Sequence, residues 1–308
     1  LSDKPLHVYT PKPTELARWS TRAGANEGRN PKPGVSISYV IADEVEGPLS
    51  IEIRDSEGEF VRQYSSEESD FERCVTGNMT PRLAYSFSYP STDQGFNQWT
   101  WDMREQGLTC IDDIRLFAGF SGATIVPGDY SVTVSIGDLS DSTDFTVIPD
   151  LRVDATTADY AFVSEKRDEV STMLNALLSS LDGARKARTQ IADLVAQFPE
   201  DSELAALAAS ATSRIDAWEL KVTQPGYKTF EDEDSMPPML DVHIRHVFDV
   251  IDRAGAPVSK GSLQRLEDLK QDWQAVKAEL EAINNSDLAA INAWATANQV
   301  RFVANPGS

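Results

Sequence analysis

Histidine is scarce in this 308-residue chain, which holds three. A serine–histidine–aspartate relay needs an imidazole beside both a nucleophile and a carboxylate. Here His7 lies near the amino end, while His243 and His246 fall on one predicted helix. The chain also lacks the Gly-x-x-x-x-Gly-Lys-Ser/Thr phosphate loop, the Gly-x-Ser-x-Gly elbow and any Cys-x-x-Cys pair. No apolar run approaches the ~20 residues that cross a bilayer, so no membrane insertion is expected. Basic residues are few, 28 against 49 acidic, for a net charge of −21. Both halves share the excess: residues 1–150 carry 12 basic and 24 acidic side chains, and 151–308 carry 16 and 25. Such a surface repels nucleic acid and anionic lipid and keeps the chain in solution. No catalytic residue, cofactor-binding residue, cofactor or metal is assigned from the sequence.

There are only two cysteines, Cys74 and Cys110. They flank the predicted strand Gly95–Asp102, and neither has metal spacing. Paired, they would close a loop of about 37 residues, stabilising the fold by roughly 3–4 kcal/mol. A bridge favours an exported protein, periplasmic or extracellular. The chain opens at Leu1 with no visible signal peptide, which reads as a piece of a longer polypeptide.

The period of the sequence changes once, near Pro149-Asp150. Residues 1–34 hold five prolines and read as a proline-rich lead-in or linker. Residues 35–150 alternate at period two. The predicted strands are 35–41, 49–54, 60–64, 95–102, 130–136 and 144–148, with Gly137-Asp138 as a two-residue hairpin link. Two inserts without a clean period, 65–94 and 103–126, interrupt them. Six or seven short antiparallel strands are the number of an immunoglobulin- or fibronectin-like β-sandwich.

Residues 151–308 repeat at helical spacing. Thr156-Thr157-Ala-Asp159 caps a helix that runs to Pro199, with Val170, Met173, Leu174, Leu177 and Leu181 on its stripe. Further helices are predicted at 203–222, 239–254 and from Ser259 or Ser262 onward, with a kink at Asn284-Asn285-Ser286. Four amphipathic helices in series predict an antiparallel four-helix bundle with long helices. The fold class is therefore α+β multidomain, a sandwich followed by a bundle.

Several segments resemble one family in order and wording: Asn30-Pro-Lys-Pro-Gly34, Ile51-Glu-Ile-Arg-Asp-Ser-Glu-Gly-Glu-Phe-Val-Arg62, Gly95-Phe-Asn-Gln-Trp-Thr-Trp-Asp-Met-Arg104 and Pro127-Gly-Asp-Tyr-Ser-Val132. The chain is similar to the C-terminal region of the bacterial BNR-repeat, sortilin-like "glycosyl hydrolase" proteins. In that family a β-propeller comes first, then a sandwich of this pattern, then a helical region. The cysteine-bearing inserts depart from the family pattern. The propeller lies outside these 308 residues, so no glycosidase residue carries over. The resemblance implies a partner: the β-propeller region of the same or a cleaved polypeptide, with other protein subunits besides.

Several residues invite a functional reading. Asp102 and Arg104 follow Trp101 at strand spacing and would share the face opposite it, as an ion pair or in a turn-fixing hydrogen bond. Trp101 is expected in the core. Trp99 and Tyr89 are the aromatics that could stack carbohydrate. His243, His246 and Asp249 share a helix face but lack the His-Glu-x-x-His pattern. Glu231-Asp-Glu-Asp234 lacks the alternating ligands of a calcium loop. Asn78-Met79-Thr80 and Asn284-Asn285-Ser286 match a glycosylation acceptor. The expectation from sequence is a non-enzymatic interaction or scaffold region of an exported β-propeller protein, bracing the propeller or mediating assembly. The alternative is an accessory carbohydrate-binding part of a glycoside hydrolase.

Overall fold

The computed structural model describes residues 4–17, 19, 26–28, 30–42, 45–78, 87–229 and 231–300. It is a mixed α+β structure with strands in the first half and helices in the second. The strands form two sheets. β1 (Leu6–Tyr9), β3 (Val35–Ile41) and β6 (Gly95–Trp101) make an antiparallel sheet in the order β1-β3-β6. The other sheet comprises β2 (Thr14–Glu15), β4 (Leu49–Asp55), β5 (Phe60–Ser65), β7 (Gly128–Ile136) and β8 (Leu139–Ile148). Its order is β2-β8-β7-β4-β5, it is antiparallel except for the short β2–β8 pairing, and it curls into a half-barrel.

Alternation sets the inner faces. Val35, Ile37, Tyr39 and Ile41 point inward from β3, and Tyr130, Val132, Val134 and Ile136 from β7. Both sheets contribute to one apolar cluster centred on Trp101, which is fully buried against Tyr130 and Phe145. Gly34, with φ +133°, turns the chain into β3 against the Trp101 carbonyl, where a side chain would collide.

The lead-in is not free of regular structure. Its residues 6–9 and 14–15 pair with β3 and β8. Their alternation is too short to see in sequence, and pairing with a longer strand satisfies their backbone groups. The first insert also holds a helix, α1 (Asp70–Gly77), closed by a reciprocal capping box between Ser69 and Glu72.

The helical half contains α2 (Thr157–Gln197), α3 (Ser202–Val222), the single-turn α4 (Asp232–Ser235), α5 (Leu240–Ala254), α6 (Lys260–Ile283) and α7 (Ala289–Ala297). Thr156 and Asp159 form a capping box at the start of α2, and Asp201 and Ser259 cap α3 and α6. α2 lies against α3 and α5, and α6 lies against the same two helices. Between α6 and α7 a π-helical turn, Asn284–Leu288, takes the place of the predicted kink. The wider turn keeps Ile283, Leu288, Ile291 and Trp294 all buried.

Neither insert belongs to the strand core alone. Val75 of α1 and Leu108, Ile111, Ile114, Leu116, Phe120 and Ala123 of the second insert join the apolar cluster of the helices. Cys74 and Cys110 are joined by a disulfide, with Cα atoms 6.1 Å apart, so the bridge ties one insert to the other. Cys110 packs against the helical core.

Candidate functional site: an aromatic cleft beside a buried ionic junction

The helical half grips residues 103–126 with charged side chains that sit on otherwise apolar helix faces. Asp241, Arg245, Phe248 and Asp252 recur at helical spacing on one face of α5, and all are buried. Asp252 accepts from the Thr124 amide at 2.7 Å through Oδ1 and from the Thr124 hydroxyl at 3.1 Å through Oδ2. Its carboxylate also pairs with Arg104 at 3.2 Å and with Arg167 of α2 at 3.3 Å. Arg167 in turn donates to the Thr124 carbonyl at 2.8 Å. Two turns nearer the start of α5, Arg245 donates to the carbonyls of Gly119 and Ala118 at 2.7 and 3.0 Å and lies over the Phe248 ring. Arg185 of α2 spans Glu219 of α3 and the Asp112 carbonyl, both at 2.8 Å. A buried charge costs several kcal/mol of desolvation unless it is paired and hydrogen-bonded. Asp252 is paired with Arg104 and Arg167, and Glu219 with Arg185, while Arg167, Arg185, Arg245 and Asp252 all hydrogen-bond the insert backbone. At Gly122 a side chain would run into the carbonyls of Glu105 and Gln106, so the insert folds tightly on itself there.

Two carboxyl groups near this junction are held protonated to unusually high pH. Burial is the main cause for Glu105, and the charges of Asp168 and Asp252 add to it against Arg167, raising it to about 7. Burial likewise pushes Asp241 up to about 7, with a Thr223 hydrogen bond opposing. Its Oδ1 accepts from the Val242 amide, while Oδ2 has no hydrogen-bond partner among the described residues.

A cleft of about 210 Å³ opens where the end strands of the two sheets meet, under α1. β5 supplies Arg62 and Tyr64, β6 supplies Trp99, and Asp102 follows directly. α1 contributes Phe71 and Glu72, and the two inserts add Phe87 and Phe120. The Tyr64 and Trp99 rings lie 4.4 Å apart, tilted by 59°. The Tyr64 hydroxyl donates to Asp102 Oδ1 at 2.9 Å. Burial, and then the Asp102 charge, hold the phenol protonated far above its ordinary range. Arg62 lies over the Tyr64 ring at 4.5 Å and 3.6 Å from Asp102. The Trp99 indole is fixed by donation to the Ser88 carbonyl at 2.8 Å. A neighbouring hollow of about 540 Å³ shares Arg62, Tyr64, Phe71, Glu72 and Phe87 with the cleft.

The residues singled out from sequence fall apart in space. Asp102 and Arg104 do not pair with each other. Met103 between them takes a left-handed backbone, φ +57°, which ends the strand alternation. Asp102 therefore turns to Tyr64, and Arg104 to Gly122 and Asp252. Trp99 is 6% exposed, whereas Tyr89 is 40% exposed and is not among the residues lining the cleft. The two therefore do not form one stacking platform. On α5, His246 is exposed against Phe117 and Asp249 is paired to Arg253. Among the described residues no group of three or more His, Cys, Asp or Glu is placed to hold a metal ion. Asp232 of the acidic run accepts from the amides of Lys228 and Thr229, closing the loop that leads into α4.

Asn78 donates its amide to the Ile111 carbonyl at 2.6 Å and accepts from the Ile114 amide. It is therefore a fastener between the inserts. The remainder of that glycosylation motif, Met79 and Thr80, lies outside the described residues.

Arg62, Tyr64, Arg167, Arg245 and Asp252 were not recognised from sequence as site residues. One signal was present: Arg167 stands at helical spacing between Val163 and Val170 on the buried stripe of α2. No protein-family model matches this chain, and no curated protein or solved structure matches it. No helix among the described residues is long and apolar enough to cross a membrane.

Proposed function

We propose that this chain is a non-catalytic scaffold or interaction region of an exported β-propeller protein, bracing the propeller or mediating assembly. In this reading the two sheets form an immunoglobulin-like sandwich around their shared core. The circuit of contacts α2–α3–α6–α5 forms an antiparallel four-helix bundle. The motif resemblance to the BNR-repeat, sortilin-like proteins supports the propeller as partner. The observation that carries the reading is the grip of Arg167, Arg245 and Asp252 on residues 103–126. It joins the strand half to the helical half through buried, fully directional contacts, which is what a brace needs in order to transmit position without flexing. The disulfide is compatible with export.

The test is mass spectrometry of the native chain's ends and of the polypeptides that co-purify with it. Propeller sequence continuous with this chain, or bound to it, is the expected result. A hydrolase rate on aryl glycosides or esters that vanishes when one carboxylate is replaced would overturn the reading. The carbohydrate-binding alternative, in the form of a flat platform of Trp99 and Tyr89, is the weaker one, because Tyr89 stands outside the cleft that Trp99 lines.

A further inference from the structure

The bracing role leaves the cleft between β5 and β6 unused. Its walls are the rings of Tyr64, Trp99, Phe71 and Phe120, and its rim carries both a spare acceptor and a spare donor. Asp102 spends Oδ1 on Tyr64, and its Oδ2 has no hydrogen-bond partner among the described residues. Arg62 uses Nη1 on the Glu105 carbonyl at 3.2 Å, and among the described residues its Nη2 donates to nothing.

The charges narrow the ligand. An anion would face Asp102 and Glu72 in a chain of net charge −21. A cation would face Arg62, whose guanidinium already covers the Tyr64 ring. A wholly apolar guest would strip water from Asp102 and Arg62 and return no hydrogen bond. A neutral ring with C–H faces and hydroxyls on its edge satisfies all of these surfaces. The size agrees, since a cavity of about 150 Å³ admits benzene and about 210 Å³ admits one six-membered ring with substituents. We propose that this cleft binds a single neutral pyranose unit, its C–H face on the aromatic wall and two neighbouring hydroxyls held between Asp102 and Arg62. This is a one-ring pocket that makes no use of Tyr89, and it is independent of the bracing role.

Ligand-observed NMR on the whole chain, with the methyl glycosides of glucose, galactose and mannose and with N-acetylglucosamine, tests it. Saturable binding of at least one, with a Kd on the order of 1 mM, is expected from so few polar contacts. Asp102→Ala should weaken that binding at least about tenfold, the loss of one good hydrogen bond to a charged group. Asp102→Asn should recover part of it and, because it keeps an acceptor for the Tyr64 hydroxyl, should melt close to the parent. The proposal is overturned if none of the four saturates at tens of millimolar, or if Asp102→Ala binds unchanged. It is equally overturned if tetramethylammonium or benzoate occupies the cleft more tightly than any sugar. Co-purification of a propeller bears on the bracing role alone, so the two can fail separately.

Discussion

The strand half and the helical half bury different chemistry. Around Trp101 the core is apolar, and among the described residues of the first half the buried polar ones are Asn97 and Thr124. The helical half buries Arg167, Glu219, Asp241, Arg245 and Asp252. A sheet satisfies its backbone through its own ladders, so its inner face can be wholly hydrophobic. The second insert has few such ladders. Its carbonyls at Asp112, Ala118, Gly119 and Thr124 are met by arginines projecting from α2 and α5. The charged residues are thus the way a non-repetitive segment is held in a folded interior.

That contrast can be broken most severely at its two centres. Asp252→Ala leaves Arg167 buried without its carboxylate and should cost about 3–5 kcal/mol. Trp101→Ala should cost about the same through an emptied aromatic site. The two should differ in location. Hydrogen exchange should rise in residues 103–126 and α5 for the first, and in β3, β6 and β7 for the second. Equal exchange across both halves in either variant would mean that the halves do not differ as described.

Removing the disulfide with Cys74→Ala and Cys110→Ala should cost about 3–4 kcal/mol, given the 36-residue separation. The loop it closes runs through β6, which by itself would place the damage in the sheets. The packing of Val75 and Cys110 on the helical cluster shifts the expected damage to the inserts and the helical half. Exchange mapping of the double variant checks this, and loss of protection confined to β7 and β8 would refute it.

The protonated carboxyls make the junction sensitive to pH. Glu105 titrates at about 7 when folded, above the ordinary glutamate value of about 4.5 that serves for the unfolded chain. The folded state therefore binds the extra proton, and stability falls as pH rises from about 4.5 through about 7. The total for this group is about 3 kcal/mol. Asp241 acts in the same direction. Urea midpoints should thus be lower at pH 8 than at pH 5, and Glu105→Gln should flatten part of the slope. A midpoint that rises with pH in the parent would contradict the assignment. The smallest effect expected is at the helix start: Thr156→Ala removes half of a capping box and should cost about 1 kcal/mol in thermal unfolding.

Much of the secondary structure was legible in the residues. The change of period at Pro149, the hairpin at Gly137-Asp138 and the 41-residue α2 with its capping box follow from local rules of alternation, turn chemistry and capping. The short β1 and β2 were not legible, because strands of four and two residues exist only through their partners. Nor was the cleft: Arg62, Tyr64, Trp99 and Asp102 stand up to 40 residues apart in sequence and meet only because β5 and β6 end their respective sheets side by side.

By itself the sequence determined a strand-rich half followed by a helix-rich half, an acidic surface and two cysteines available to pair. Period, charge and composition are properties of neighbours along the chain. Only the tertiary structure decided that the inserts belong with the helices, that Asp102 and Arg104 part company at Met103, and which buried charges hold the halves together. Those outcomes depend on desolvation and on partners far apart along the chain, such as Thr124 and Asp252, and no local pattern of residues encodes them.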